Sequence, residues 1–353
     1  MKKLITKVTL SLACLASVFG FASCSKSSGK SSEKVLNLYN WTYYTPDDVI
    51  ADFENEFGCK VNVDSFASNE EMYTKIVGGA KGYDIVVPSQ DYVSIMIEQG
   101  MLEKLDLSKF TNKGNINPAV LEKATYDPNM DYAVPYYLGA AGVSVNKTKI
   151  DMTDYARDWS IFEDQRFAGH ASMMDDMREV MGDALVHLGY DVNSTDDGQL
   201  DQATEYINSK WKPNLVKFDA EGFGKSFAQG DFWLCQGYAE VIFGEIPEDK
   251  WDTVDFFIPE EGGACYLDSM CILKGAKHYD LAMEFINFIH RPENYAKFLD
   301  FFHFPCYVNL AASEYTTKTP MYEASMMDHC TLKNDIGEDL IKFIERWETI
   351  RIN

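Results

Sequence analysis

Residues 35–87, VLNLYNWTYYTPDDVIADFENEFGCKVNVDSFASNEEMYTKIVGGAKGYDIVV, decide the fold class of this chain. Val35 to Tyr39 reads as a strand. Thr45-Pro46-Asp47-Asp48 then carries the marks of a helix start: a capping hydroxyl, Pro at the first helical position and acids in the first turn. Val49, Ile50, Phe53 and Phe57 give that helix one apolar face, and Gly58 ends it. Lys60 to Phe66 alternates as a strand, Asn69 to Val77 is helical, and Tyr83 to Val87 is a short apolar strand before Pro88. Strand, helix, strand, helix, strand implies a parallel sheet with right-handed crossovers. The carboxyl ends at Asn40, around Phe66 and at Ser89 should converge on one cleft, because ligands of open α/β sheets dock at that edge.

Downstream, Gly142 to Asn146 reads as another strand, and a second α/β region follows to about Gly262. It includes a helix from Met177 to Leu188 and strands at Leu215 to Phe218 and Phe232 to Gln236. Tyr266 to Leu273 is again strand-like, before amphipathic stretches at 278–290 and 293–302. Short crossings near Gly139 and Gly263, with no long linker, predict two lobes between which the chain passes more than once.

The first 23 residues have a basic start (Lys2, Lys3, Lys7) and an apolar run from Val8 to Phe21, the pattern of a secretory leader and too short for a membrane span. Phe21-Ala22-Ser23-Cys24 resembles a bacterial lipobox, which predicts acylation of Cys24; the plainer alternative is cleavage before a Cys that happens to sit there. The Ser-, Lys- and Gly-rich stretch behind it, 24–34, reads as a flexible tether. Removing the three leader lysines takes the net charge from −23 to −26. So acidic a chain is a poor nucleic-acid binder and attracts cations by long-range steering, although many exported bacterial proteins are acidic with no cationic ligand. Six further cysteines, Cys59, Cys235, Cys265, Cys271, Cys306 and Cys330, form no C-x-x-C pair and have apolar neighbours, so buried thiols are expected rather than a metal or redox site.

Three groups of residues could carry chemistry. Trp41-Thr42-Tyr43-Tyr44 places rings at the end of the first strand, where they offer flat walls and negative π-faces to a ligand. Asp175-Asp176-Met177-Arg178-Glu179 opens the helix at Met177; Asp176 and Glu179 have capping-box spacing, so they either cap the helix or grip an ammonium. Tyr266 and Asp268 share one face of a strand, an aromatic beside a carboxylate, which suits an alkylammonium. A G-x-S-x-G elbow and an H-E-x-x-H motif are both missing, and Gly224-Lys225-Ser226 lacks the first Gly of a P-loop, so no enzyme is expected.

From Val35 to about Gly337 the sequence resembles the substrate-binding proteins of bacterial polyamine (spermidine/putrescine) ABC transporters. The resemblance rests on Tyr39-Asn40-Trp41-Thr42, Ser68-Asn69-Glu70, Val86-Val87-Pro88-Ser89, the 175–179 run, Leu267-Asp268-Ser269, Asn309-Leu310-Ala311-Ala312 and Asn334-Asp335-Ile336-Gly337. It implies an α/β, two-lobed periplasmic binding protein fold of type II, each lobe a central mostly parallel sheet flanked by helices. The lobes are expected at 35–139 plus 266–306 and at 140–265 plus 307–353. It implies a monomeric extracytoplasmic receptor, anchored to the membrane by lipid on Cys24, that delivers putrescine or spermidine to a permease driven by an ATPase, with no cofactor and no metal.

Carried over by position, the resemblance places Trp41, Thr42 and Tyr44 on one wall with Ser89 nearby, and gives the amines to Asp176, Glu179 and Asp268. Tyr238 and Tyr266 fall where the family often has Trp, and Phe304 falls where it has Tyr. Tyr43 stands where a spermidine binder can carry an acid, Asp91 where it can carry Tyr and Lys333 where it can carry Gln. A Lys aimed at an amine repels it unless Asp91 pairs with Lys333. These departures predict an altered subsite for spermidine's aminopropyl arm, with putrescine bound at least as well as spermidine. The rival readings are a receptor for choline, betaine or thiamine, and a surface glycosidase using Asp176 and Glu179.

Overall fold

The computed structural model describes residues 34–42, 44–150 and 154–352. The leader, Cys24, the tether up to residue 33 and Tyr43 lie outside the described residues. The first strand, β1 (Lys34–Trp41), begins inside the stretch read as tether. It is followed by α1 (Asp47–Phe57), β2 (Cys59–Phe66), α2 (Asn69–Val77) and β3 (Ile85–Val86). Both β2 and β3 pair parallel to β1, as the alternation of elements requires.

The start of α1 differs in detail from its sequence signature. Thr45 does not cap the helix; its hydroxyl accepts from Asn40 Nδ2 at 3.0 Å and meets the Tyr136 hydroxyl at 3.2 Å. Pro46 stands at the cap position without a side-chain bond. The apolar face is as expected: Phe53 is buried and packs on Phe57 (ring centroids 4.5 Å apart), Phe285 (5.0 Å) and Phe288 (5.3 Å). Burying one such ring stabilises the fold by about 1.5–3 kcal/mol. Gly58 closes α1 at φ 58°, a left-handed cap that glycine reaches without steric cost.

After α3 (Gln90–Glu98) and α4 (Pro118–Lys123), the chain enters β4 (Ala133–Asn146), a 14-residue strand buried along its whole length. Only its second half, Gly142 to Asn146, is legible as strand. The first half is buried on both faces and shows no alternation, and Pro135 argues against a strand interior. A register shift between Pro135 and Tyr137 absorbs that proline.

The remaining strands are β5 (Ala171–Met174), β6 (Leu215–Asp219), β7 (Leu234–Tyr238), β8 (Val254–Phe257), β9 (Ala264–Ile272) and β10 (Thr331–Leu332). Around them lie α5 (Met177–His187), α6 (Asp197–Tyr206), α7 (Phe223–Gln229), α8 (Ala239–Gly244), α9 (Tyr279–Ile289), α10 (Pro292–Phe302) and α11 (Leu340–Ile352). Strand order is β2-β1-β3-β9-β4-β7-β5-β6, with β10 beside β9 and β8 beside β4. Pairing is parallel at both flanks and antiparallel where β3, β9, β4 and β7 adjoin. From Ala133 to Ala140, β4 pairs with β9; from Ala141 onward it pairs with β7, and from Val143 also with β8. One strand thus carries the chain from one half of the sheet to the other.

The six cysteines within the described residues are free, four of them buried. Among the described residues, no helix is long and apolar enough to cross a membrane.

Candidate functional site

The loops after β1, β2 and β3 do meet. Trp41 and Tyr44, residues 67–70 and residues 89–92 line a single cleft of about 660 Å³. Trp41 is aimed by its indole Nε1, which donates to the Val87 carbonyl at 2.9 Å, and by Phe66 at a centroid distance of 4.7 Å. Asn69 and Ser89 exchange hydrogen bonds of 3.0 and 3.2 Å, which joins the second loop to the third.

These loops hold one carboxylate. Ser89 Oγ donates to Asp268 Oδ1 at 2.6 Å and the Tyr44 hydroxyl donates to Asp268 Oδ2 at 2.8 Å. Asp268 is 4% exposed and has no ion-pair partner among the described residues. Burial raises its pKa to about 7, against the two hydroxyls that favour the charged form. Across the cleft, Glu240 opens α8 and is likewise raised to about 7 by burial, against its own backbone N–H and the Tyr266 hydroxyl, 3.5 Å from Oε1. Tyr266 lies over Gly139 of β4, where a Cβ would stand 2.5 Å from the phenol oxygen. It also meets Tyr238 edge-on at 5.5 Å.

At the start of α5 the two expected roles divide between the two acids. Asp176 caps the helix, accepting from the backbone N–H of Arg178 (2.8 Å) and Glu179 (3.1 Å), and it also lines the cleft. Glu179 does not reach back to complete a capping box. It points inward, fully buried, and its Oε1 accepts from the Tyr238 hydroxyl at 2.8 Å and from Lys333 Nζ. Burial alone would pull the Lys333 ammonium down, but Glu179, Asp176 and Asp91 more than offset it and hold it above its usual value. Burial pushes Glu179 up while Lys333 pulls it down; a proton shared by the two stays on the more basic nitrogen.

Of the residues anticipated from sequence, Trp41, Tyr44, Ser89, Asp91, Asp176, Tyr238, Tyr266, Asp268 and Lys333 line the cleft. Thr42 does not: it is exposed and its hydroxyl donates to the Phe66 carbonyl at 3.4 Å. Phe304 does not line the cleft: it is buried behind the wall, stacked on Tyr137 at 3.9 Å and on Phe302 at 4.8 Å. Glu179 lies behind Lys333, which takes Glu179 and not Asp91 as its partner. Asp91 keeps a buried Oδ1 without a hydrogen bond, and burial raises its pKa.

Sequence reasoning missed Glu240, Gln90 and Tyr92, and gave no role to Glu70, Arg178 or Asp335, which it quoted. An acid in the first turn of a helix that leaves a strand's carboxyl end was the available signal for Glu240. Gln90 left none. Its amide joins β9 to the segment after β10, accepting from Leu267 N at 2.8 Å and donating to the Lys333 carbonyl at 2.6 Å.

The cleft is lined by six acids (Glu70, Asp91, Asp176, Glu240, Asp268, Asp335), two cations (Arg178, Lys333) and five large aromatics (Trp41, Tyr44, Tyr92, Tyr238, Tyr266). That composition favours an elongated cation with apolar stretches. Among the described residues one group could hold a metal, Asp158, His187 and Glu261, and none of these lines the cleft. Both ring nitrogens of His187 already have partners, Glu261 at 2.9 Å and Tyr206 at 2.8 Å.

A family profile described as bacterial extracellular solute-binding protein matches residues 48–324. The spermidine/putrescine-binding periplasmic protein of Escherichia coli K12 is 33% identical over 312 residues, covering 86% of this chain and 87% of that protein. The putrescine/cadaverine-binding protein of Pseudomonas aeruginosa PAO1 is 32% identical over 263 residues, 72% of this chain and 74% of that one. Among solved structures, the Tp0655 (TpPotD) lipoprotein of Treponema pallidum superposes with a TM-score of 0.86 at 49% identity, covering 91% of this chain and all of that one.

Proposed function

This chain belongs to the family of bacterial extracellular solute-binding proteins, and we propose that it captures a linear polyamine, putrescine or spermidine, in the cleft at Asp268. It has the two-lobed type II periplasmic binding fold and is a receptor, not an enzyme. The names of its relatives support the ligand class: one binds spermidine and putrescine, another putrescine and cadaverine.

The observation that carries the reading is Asp268 itself. A buried carboxylate with two hydroxyl donors and no cation in contact is costly by several kcal/mol, and a ligand ammonium supplies the missing charge. Rings on both sides then cover the methylenes. The quaternary nitrogen of choline or betaine has no N–H to donate to these oxygens, which disfavours the rival cage reading. The glycosidase reading fails on geometry: Asp176 caps a helix and Glu179 is neutralised by Lys333, so they are no acid–base pair.

The receptor acts outside the cytoplasm and hands its ligand to an ABC permease powered by a separate ATPase. The lobes divide at 35–139 plus 266–306 and 140–265 plus 307–353, and closing them around the ligand is supported by the passage of β4 between the two halves of the sheet. The protein works as a monomer held to the membrane by lipid on Cys24, a reading supported by the lipobox-like sequence and by the lipoprotein name of the Treponema relative. Isothermal titration of the mature protein with putrescine, spermidine and choline tests the function. Saturable binding of either polyamine and none of choline is expected; binding of choline alone would overturn it.

A further inference from the structure

Among the described residues, Lys333 is the one cation of the cleft that is joined to a carboxylate the cleft itself does not expose. Its side chain is 14% exposed and faces the cavity, while Glu179 behind it is 0% exposed. Both partners are fixed. Glu179 Oε1 is held by the Tyr238 hydroxyl as well as by Lys333, and Glu179 sits in the first turn of α5. The Lys333 backbone is tied on both sides, its N–H donating to the Cys265 carbonyl at 3.1 Å and its carbonyl accepting from Gln90. Asn334 N–H continues the attachment to Asn193 Oδ1 at 2.8 Å. The ammonium is therefore a permanent part of the wall.

We propose that Lys333 is a resident ammonium: it fills the Glu179 subsite from within the protein and limits the ligand to two positive charges. This rests on the polyamine reading of the cleft. The charges that remain fit it. Asp91 and Asp176 lie in the field of Lys333 and Arg178. Asp268 and Glu240 are cleft acids pushed up by burial, with no cation in contact among the described residues. Two such acids accept the two ends of a diamine. A third ammonium would have to be desolvated beside Lys333, whose like charge repels it, which is unfavourable.

A mutational cycle separates a resident ammonium from a Glu179 that grips the ligand directly. Calorimetry is run with putrescine, cadaverine and spermidine on the wild type, Lys333→Gln, Glu179→Gln and the double variant. Lys333→Gln should raise the spermidine-to-putrescine affinity ratio at least about tenfold, because Glu179 is freed for a third amine. Glu179→Gln should weaken putrescine at least about tenfold, because Lys333 is left uncompensated. The double variant should return to within about threefold of the wild type, a non-additivity expected of directly coupled charges. An unchanged ratio in Lys333→Gln, or a double variant as weak as Glu179→Gln, overturns the proposal. Should Glu179→Gln fail to fold, the ratio in Lys333→Gln decides alone. A wild type that binds no polyamine sinks the function reading itself, and this proposal with it.

Discussion

Asp268 shows how one side chain can be tuned by its cage. Its two hydroxyl donors hold the carboxylate in place but do not cancel the cost of burial, so it titrates near neutrality. Replacing it with Asn keeps the shape and removes the charge; putrescine affinity should fall about 10- to 100-fold, the worth of a charge-assisted hydrogen bond. Unchanged affinity by calorimetry would mean that the amine lies elsewhere. The ligand's ammoniums keep their protons up to about pH 9–10, so the pH dependence near neutrality comes from the protein. Binding favours the ionised carboxylate, and affinity should therefore decline below about pH 7, by up to about tenfold per unit for one group. Titrations at pH 6 and pH 8 check this, and proton release on binding should accompany it. Asp268 and Tyr266 were legible because strand alternation puts them on one face. The Lys333–Glu179 pair was not: the partners are 154 positions apart, and a long lysine side chain could reach either Asp91 or Glu179.

Among the elements, the first three strands and two helices follow directly from their patterns, and β4 shows why others do not. Where a strand is buried on both faces, apolar residues stop alternating and the period of two vanishes. Gly139 in that strand is required by the Tyr266 ring packed on it. A methyl there must displace the ring, so Gly139→Ala should destabilise the protein by about 1–3 kcal/mol and weaken polyamine binding as well. Gly244, at the end of α8, has open space around its Cβ position and serves as the control. Gly244→Ala should leave binding unchanged and stability the same or up to about 1 kcal/mol higher. Thermal unfolding and calorimetry on both variants check the pair; equal effects would refute the packing argument.

For the whole molecule, the cleft acids set stability against function. Asp268 and Glu240 have folded-state pKa values raised above their ordinary ones. Their contribution is fully present below about pH 4 and is lost as pH rises to about 7, since the native state then resists ionisation that the unfolded chain accepts. Glu240→Gln should accordingly melt higher than the ligand-free wild type at pH 8, by ~3 °C, and no higher at pH 4. A difference independent of pH would refute this origin. At this scale the sequence shows an acidic α/β receptor, but not which half of each ion pair faces the cleft. Chain passage through β4 has a mechanical meaning too. A rotation between the flanking halves must be taken up as torsion in one continuous hydrogen-bonded ribbon, since no loop interrupts it near Gly139. The ring resting on that glycine also lines the cavity, so a torsion of this ribbon would move one wall of the cleft with it.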